Sequence, residues 1–434
     1  MHNERVVVET LSPVRKRVQV EVPASEVQSE LDRAFSTVGR EARIRGFRQG
    51  RVPRAVLERM FGEQIRREVL GRLVEHSFHH AIESEKLDVV GQPEIDADGI
   101  TPGEDLKYTA TVDIRPIITV GDTSGIEVTR PIYEVTDAEV DEVLASLREQ
   151  AAELRPIEDR AVVEAGDVVV MNVGSTLGGG QPQRREGALV EAGSGSFPLA
   201  LERQLVGQRK GVQVTLDVPY PEDYGNASLA GKTVQFEVEV VELKAKELPP
   251  LDDDFARDHG RAESLGDLRG KIRADLESQA SARADAAVQD ALLDQLIGRH
   301  GFEVPASLVD RRCDALLSAF DVRIPEGPEG AQLLDRLRTD VRPRAERDVR
   351  ADLVLDAIAT ARGVTIDDTA LDAEIDTLAK RQQQAPERIR AFYDRPEARH
   401  ALRSRLGRDR TLSLVLSEAK VTAQPMPKDV ARAG

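Results

Sequence analysis

The sequence predicts an elongated α+β multidomain protein with three parts: an α/β N-terminal domain, a small β-rich domain, and an all-helical C-terminal domain with arms. Three observations lead there. The chain has 434 residues, and domains of ~150 residues make about three of them the natural count. Its apolar period changes along the chain, from mixed, to strand-like, to helical. It is 40% hydrophobic yet 32% charged, so ordinary cores carry an unusually large solvated surface, which suits an extended body better than a sphere.

Residues 5–22 alternate apolar and polar around Ser12-Pro13, which predicts two strands and a turn. Ser25 to Gln28 has the spacing of a capping box, followed by Val27, Leu31, Phe35 and Val38 on one helical face. That pattern stops before Gly46. Pro53 suits the first turn of a second helix, with Val56, Met60, Ile65, Val69 and Leu73 as its buried stripe. Residues from Gly46 to Val52 are therefore an exposed loop between helices. Strands return between Leu87 and Val120. Thr136 to Glu139 is a second capping box, opening a helix with Val140, Val143, Leu144 and Leu147 inward.

Residues 161–243 are rich in valine and glycine and end in the alternating "KTVQFEVEVVEL", which predicts a separate β-rich domain. Paired prolines and three aspartates in "KELPPLDDDFA" mark its end. Beyond it "ESLGDLRGKIRADLESQASARADAAVQDALLDQLIGRH" reads as one long helix. Glycine stops at Gly301 and Gly363 each lead through a short link to a new helix start, which hints at a duplicated helical hairpin. The last residues, "TAQPMPKDVARAG", read as frayed.

Composition also excludes. A net charge of −17 disfavours nucleic acid and anionic membranes for the chain as a whole. Cys313 is the only cysteine, so there is no internal disulfide or cysteine-cluster zinc site. Its helical spacing with Leu308 and Leu316 reads as a buried small hydrophobe. The N-terminus lacks the apolar core of a signal peptide, and no segment approaches the ~20 apolar residues of a membrane span. A soluble, cytoplasmic protein is expected. His76, His79 and His80 have helical spacing but no further ligand cluster nearby, so neither metal nor other cofactor is expected. The glycine-rich stretch Gly178 to Gly187 lacks the Lys-Ser/Thr ending of a phosphate loop.

One stretch resists a structural reading. Between Arg40 and Arg72 stand ten arginines and four glutamates, a local charge of +6 in an acidic chain. An arginine run is ordinarily a solvated helix face. Here Gly46 and Gly50 free the backbone, and Phe47 sits among arginines with no evident benefit to folding. An aromatic flanked by arginine is the composition of an interface anchor.

"GFRQGRVPRAVLERMFG" resembles the signature loop of the trigger factor family, bacterial chaperones that dock on the ribosome beside the nascent-chain exit. The resemblance covers nearly the whole chain. "RPIITVGDTSGIEV" and "VTDAEVDEVLASLREQ" resemble the family's linker. "AGDVVV" and "PEDYGNASLAGKTVQFEVEVVELK" resemble its FKBP-type prolyl isomerase domain, and "ELPPLDDDFARDHG" with "FEVPASLVDRRC" the start of its substrate-holding domain. The division this implies is a ribosome-binding domain over 1–115, a linker over 116–157, the isomerase domain over 158–245, and a helical chaperone domain over 246–434.

The resemblance implies that Arg45, Gly46, Phe47, Arg48, Gln49, Gly50, Arg51 and Pro53 contact the large ribosomal subunit at the exit tunnel, both a ribosomal protein and ribosomal RNA. Gln49 stands where the family usually has lysine, and Arg45 and Arg51 are placed to compensate. It also implies Leu, Val, Ala and Met on the arms holding nascent and unfolded polypeptides without ATP, assistance to export, and a homodimer off the ribosome.

Prolyl isomerisation needs no nucleophile, only a pocket that strips water from the amide and favours the twisted bond. Tyr224 and Phe236 match the family's pocket walls. Leu201 replaces an aromatic wall, and Met171 to Gly174 replace a segment that usually supplies an acid and another aromatic, so a weakened isomerase is expected. The competing readings are a stand-alone prolyl isomerase with helical dimerisation arms, and an RNA-binding protein using the arginine loop, against which the acidic net charge counts.

Overall fold

A computed structural model describes residues 4–44, 47–48, 50–176, 183–194, 202, 204–220, 229, 231–260, 262–319, 324 and 327–426. The chain divides into two compact units, Met1–Arg130 with Asp285–Gln424, and Pro131–Ala284 with Pro425–Gly434. Each unit draws on separated stretches, whereas the division at 115, 157 and 245 expected from the sequence is consecutive.

In the first unit, strands β1 (Arg5–Ser12), β2 (Arg15–Val22), β3 (Val89–Ala97) and β4 (Leu106–Ile114) form an antiparallel sheet of order β1-β2-β4-β3. Helices α1 (Ala24–Glu41) and α2 (Arg54–Ser84) cover one face. Strict alternation puts Val18, Val20 and Val22 of β2, and Leu106, Tyr108, Ala110 and Val112 of β4, on that face. Val27, Leu31 and Phe35 of α1 and Ile65, Val69 and Leu73 of α2 meet them. The buried Tyr108 hydroxyl donates to Ser77 Oγ at 2.8 Å, and Ser77 donates onward to the Leu73 carbonyl. Burial pushes the Tyr108 phenol up to about 12.

Three local expectations change. The cap of α1 is Pro23, with no side-chain bond of its own, so Ser25 lies inside the helix. The Asp105 carboxylate instead accepts from the Ala24 N–H at 2.7 Å. Pro53 is the N-cap of α2, just outside the first turn. Met60 is 55% exposed and Leu57 is buried, because the inward stripe climbs in steps of four from Leu57 through Ile65, Val69 and Leu73.

The same unit holds the second half of α5 (Leu265–Arg299), α6 (Ala306–Ala319), α7 (Pro328–Arg362), α8 (Asp368–Arg381), α9 (Pro386–Tyr393) and α10 (Pro396–Glu418). Leu292 and Leu296 of α5, Val354 and Ile358 of α7 and Val415 of α10 share a core with Ile126 and Val128 of β5 (Glu127–Ile132). Cys313 is buried with Val309 and Ala345, and burial pushes its thiol up. Gly363 ends α7 in the left-handed conformation at φ +64°, and Asp367 caps α8 by accepting from Ala370 N–H at 2.8 Å. Strand β11 (Lys420–Pro425), in the tail read as frayed, pairs with β5. Residues 427–434 lie outside the described residues.

The polar ties within this unit are specific. The Gly121 N–H donates to His300 Nε2 at 3.2 Å, which leaves Nδ1 to donate to the Leu296 carbonyl at 2.7 Å. Arg299 donates to the Asp122 and Ser124 carbonyls. Arg115 reaches both Asp88 and Asp356.

In the second unit, β6 (Glu153–Pro156), β7 (Val168–Thr176), β8 (Gln183–Glu191), β9 (Gln213–Pro219) and β10 (Thr233–Glu247) form a five-stranded sheet of order β6-β10-β7-β8, with β9 also on β10. Val234, Phe236, Val238 and Val240 of β10 point into its core, as the alternation predicts. Helix α3 (Asp137–Gln150) starts with the expected capping box: Thr136 Oγ1 accepts from the Glu139 N–H, and Glu139 accepts from the Thr136 N–H at 2.7 Å. Its Val140 and Leu144 pack with Phe255 of α4 (Asp253–Gly260) and with Leu268 and Ile272 of α5.

Candidate functional site

Two backbone hydrogen bonds tie the described residues of the loop between α1 and α2. Phe47 N–H donates to the Ile44 carbonyl at 3.1 Å, and Arg51 N–H to the Arg48 carbonyl at 2.9 Å. Gly50 has φ +78°, in the left-handed region that favours glycine. The base of the loop is pinned. Arg54 donates to Asp32 across the two helices and lies 5.0 Å over the Phe35 ring, and its hydrogen bond holds the Asp32 carboxyl below its ordinary range.

The tip is left to solvent. Phe47 is 41% exposed, and Arg48, Gly50, Arg51 and Pro53 are exposed as well. Arg48 and Arg51 have no ion-pair partner among the described residues, in contrast to Arg67 and Arg72, which pair with Glu63 and Glu68 one turn away. An apolar ring and unneutralised guanidinium groups thus share one loop, an arrangement able to grip an anionic, partly apolar surface. Arg45, Gly46 and Gln49 lie outside the described residues. Met60, near the start of α2, is exposed beside Arg59, which the sequence period does not reveal because Met60 fits an apolar stripe about as well as Leu57 does.

In the middle domain Phe236 is buried, paired with Ser175 on β7 and Leu216 on β9. Met171 and Val173 are buried beside it in the core, while Asn172 points outward, donating to Glu239 and accepting from the Gly187 N–H. Leu201 and Tyr224 lie outside the described residues. Arg160 and Asp167 staple the start of the domain with a two-pronged bond, one arm 2.6 Å long. Burial works to raise the Asp167 carboxyl, but Arg160 and the Glu164 N–H outweigh it and hold the group below its ordinary range.

His76, His79 and His80 gather no metal-binding set. His80 lies 3.1 Å from Glu4, and His79 lies beside the Phe78 ring. Among the described residues no cluster of three or more His, Cys, Asp or Glu could hold a metal ion, and no helix is long and apolar enough to cross a membrane.

The family model for "Bacterial trigger factor protein (TF)" matches residues 4–147, that for its C-terminus residues 264–417, and that for the FKBP-type peptidyl-prolyl cis-trans isomerase residues 160–241. The "Trigger factor" of Geobacter metallireducens is 36% identical over 96% of this chain and 98% of its own length. The chain belongs to the trigger factor family. The trigger factor of Anaeromyxobacter sp. (strain Fw109-5) is 35% identical over 96% of this chain and 99% of its own. A solved trigger factor structure, titled for promiscuous substrate recognition in folding and assembly activities, aligns over 95% of this chain and 99% of its own at 21% identity and a TM-score of 0.47. The trigger factor matches account for all three regions, and the middle region carries an FKBP-type isomerase domain. A stand-alone isomerase is therefore not the favoured reading.

Proposed function

We propose that this chain is an ATP-independent chaperone that docks at the exit tunnel of the large ribosomal subunit, holds nascent chains open, and assists their folding and export. The exposed Phe47 ring in one loop with unneutralised Arg48 and Arg51, in a chain of net charge −17, carries this reading. Local positive charge attracts ribosomal RNA, the ring seeks an apolar niche on a ribosomal protein, and the acidic remainder limits non-specific contact with RNA. Arg45, Gly46, Gln49, Gly50 and Pro53 complete the contact, with Met60 and Arg59 beside them. The functional division is the one expected from the sequence, 1–115, 116–157, 158–245 and 246–434, working in the cytoplasm where ribosomes are.

The isomerase domain turns over prolyl bonds slowly, because Leu201 stands where the family has an aromatic wall and Met171 to Gly174 replace a segment that usually supplies an acid and another aromatic, while Tyr224 and Phe236 match the family's pattern. Off the ribosome the chain forms a homodimer, which analytical ultracentrifugation measures. Ribosome co-sedimentation tests the central claim: the unaltered chain pellets with 50S subunits, and a Phe47→Ala, Arg48→Ala chain stays in the supernatant. Equal pelleting of the two would reject the assignment.

A further inference from the structure

A groove of about 730 Å³ lies in the N-terminal sheet-and-helix layer, away from the loop, between α2 and the edge strand β3. Its helix wall is Gly71, Val74, Glu75, Phe78, His79 and Ile82 of α2, of which Val74 and Phe78 also belong to the core over the sheet, while Gly71, Glu75 and His79 are exposed. Its strand wall is Val89 and Ile95, and Ile95 is 42% exposed although it faces the helix layer. No strand lies beside β3 on its outer side among the described residues. Near Val90 that side is taken up by Ser307, whose hydroxyl donates to the Val90 carbonyl. Further along the strand Glu94, Ile95 and Asp96 are exposed.

An edge strand next to a helix is the geometry into which an extended peptide adds as a further strand, hydrogen-bonding by its backbone and seating alternate side chains in the groove. Chemistry along β3 specifies the occupant. Ile95 and Ala97 point to the groove, while Glu94 and Asp96 point to the opposite face, as their pairing opposite Ala110, Tyr108, Thr111 and Thr109 of β4 requires. A strand laid beside them pairs best with aliphatic residues on the first face and cationic residues on the second. Glu75, on the groove rim, and Asp96 are exposed and have no ionic partner among the described residues, and Glu94 is largely exposed although Arg15 touches it.

We infer that the α2–β3 groove binds extended segments of unfolded polypeptide in which aliphatic and basic residues alternate, by strand addition to β3. This rests on the client-holding reading and gives it a second, sequence-selective site outside the helical arms.

The test uses the full chain and two fluorescein-labelled peptides, one alternating leucine with arginine and one alternating leucine with glutamate. Anisotropy should show the basic peptide binding at least about tenfold tighter. Ile95→Asp should weaken the basic peptide about tenfold, and Asp96→Lys with Glu75→Lys should remove the preference between the two. A photo-reactive phenylalanine analogue at position 95 should cross-link the basic peptide. All these positions are exposed, so circular dichroism should be unchanged, and ribosome co-sedimentation of the Ile95→Asp chain should match the unaltered chain. Equal binding of the two peptides, undiminished binding to the Ile95→Asp chain, or no cross-link at position 95 overturns the inference. Loss of ribosome pelleting in the Phe47 chain is independent of all three, so the two readings fail separately.

Discussion

The carboxylate of Asp113 accepts a hydrogen bond from the backbone N–H of Ser307 at 2.9 Å, so the end of a strand caps a helix 194 positions further along the chain. Ser307 is the second residue of α6, whose first N–H groups have no partner within the helix, and a carboxylate there satisfies one of them and complements the helix dipole. Asp113→Ala should cost about 1 kcal/mol, with Asp113→Asn retaining part of it. Thermal unfolding of both variants checks this, and a fall in Tm larger for alanine than for asparagine is the expected order.

Gly91 faces the same serine. Its φ is +81°, and a Cβ there would sit 2.5 Å from Ser307 Cβ. Gly91→Ala should destabilise by about 1–3 kcal/mol, from left-handed strain and overpacking together. Pairing it with Ser307→Gly should recover the overpacking part only. A double-mutant cycle in urea separates the two contributions.

At the basic loop, function and stability should come apart. Phe47→Ala with Arg48→Ala removes exposed side chains that lie outside the domain core, so stability should stay within the roughly 0.5 kcal/mol band of surface substitutions. Ribosome pelleting should be lost. Arg54→Ala should do the reverse in part, loosening the loop base by removing the bond to Asp32 and the contact over Phe35.

The Asp167 carboxyl provides the pH dependence. Its folded-state pKa lies below the unfolded value, so the stabilisation from its pairing with Arg160 is fully present above the ordinary carboxylate range and is lost as pH falls through the depressed value. Acid unfolding of the middle domain should therefore begin below about pH 4 for this group. Asp167→Asn should flatten that limb of the stability profile. An unaltered acid limb in urea titrations of the variant would count against the staple.

Isomerase activity gives the last expectation. A proline-peptide assay should show a measurable but slow rate, and Leu201→Phe should raise it. Phe236→Ala should lower the rate through loss of structure, because the ring is a core residue of β10 and truncation costs about 3–5 kcal/mol. Near-ultraviolet dichroism or urea unfolding distinguishes this from a local pocket effect.

The order of strands and helices was legible residue by residue wherever a period was long and clean. The alternation of β10, the Leu31 and Phe35 face of α1, the Thr136 capping box and the helix stop at Gly363 are all local physics, and the structure repeats them. The exposed loop tip was legible too, since an aromatic among arginines between glycines has no place in a core. Tertiary structure alone decided what depends on distant partners. It placed Asp105 at the N-terminus of α1, rotated Met60 outward in favour of Leu57, paired the tail strand β11 with β5, and set Asp113 and Gly91 against Ser307. Sequence period fixes which residues share a face, because that follows from backbone geometry. Which face meets which neighbour depends on packing across the whole chain, and no window of residues contains that information.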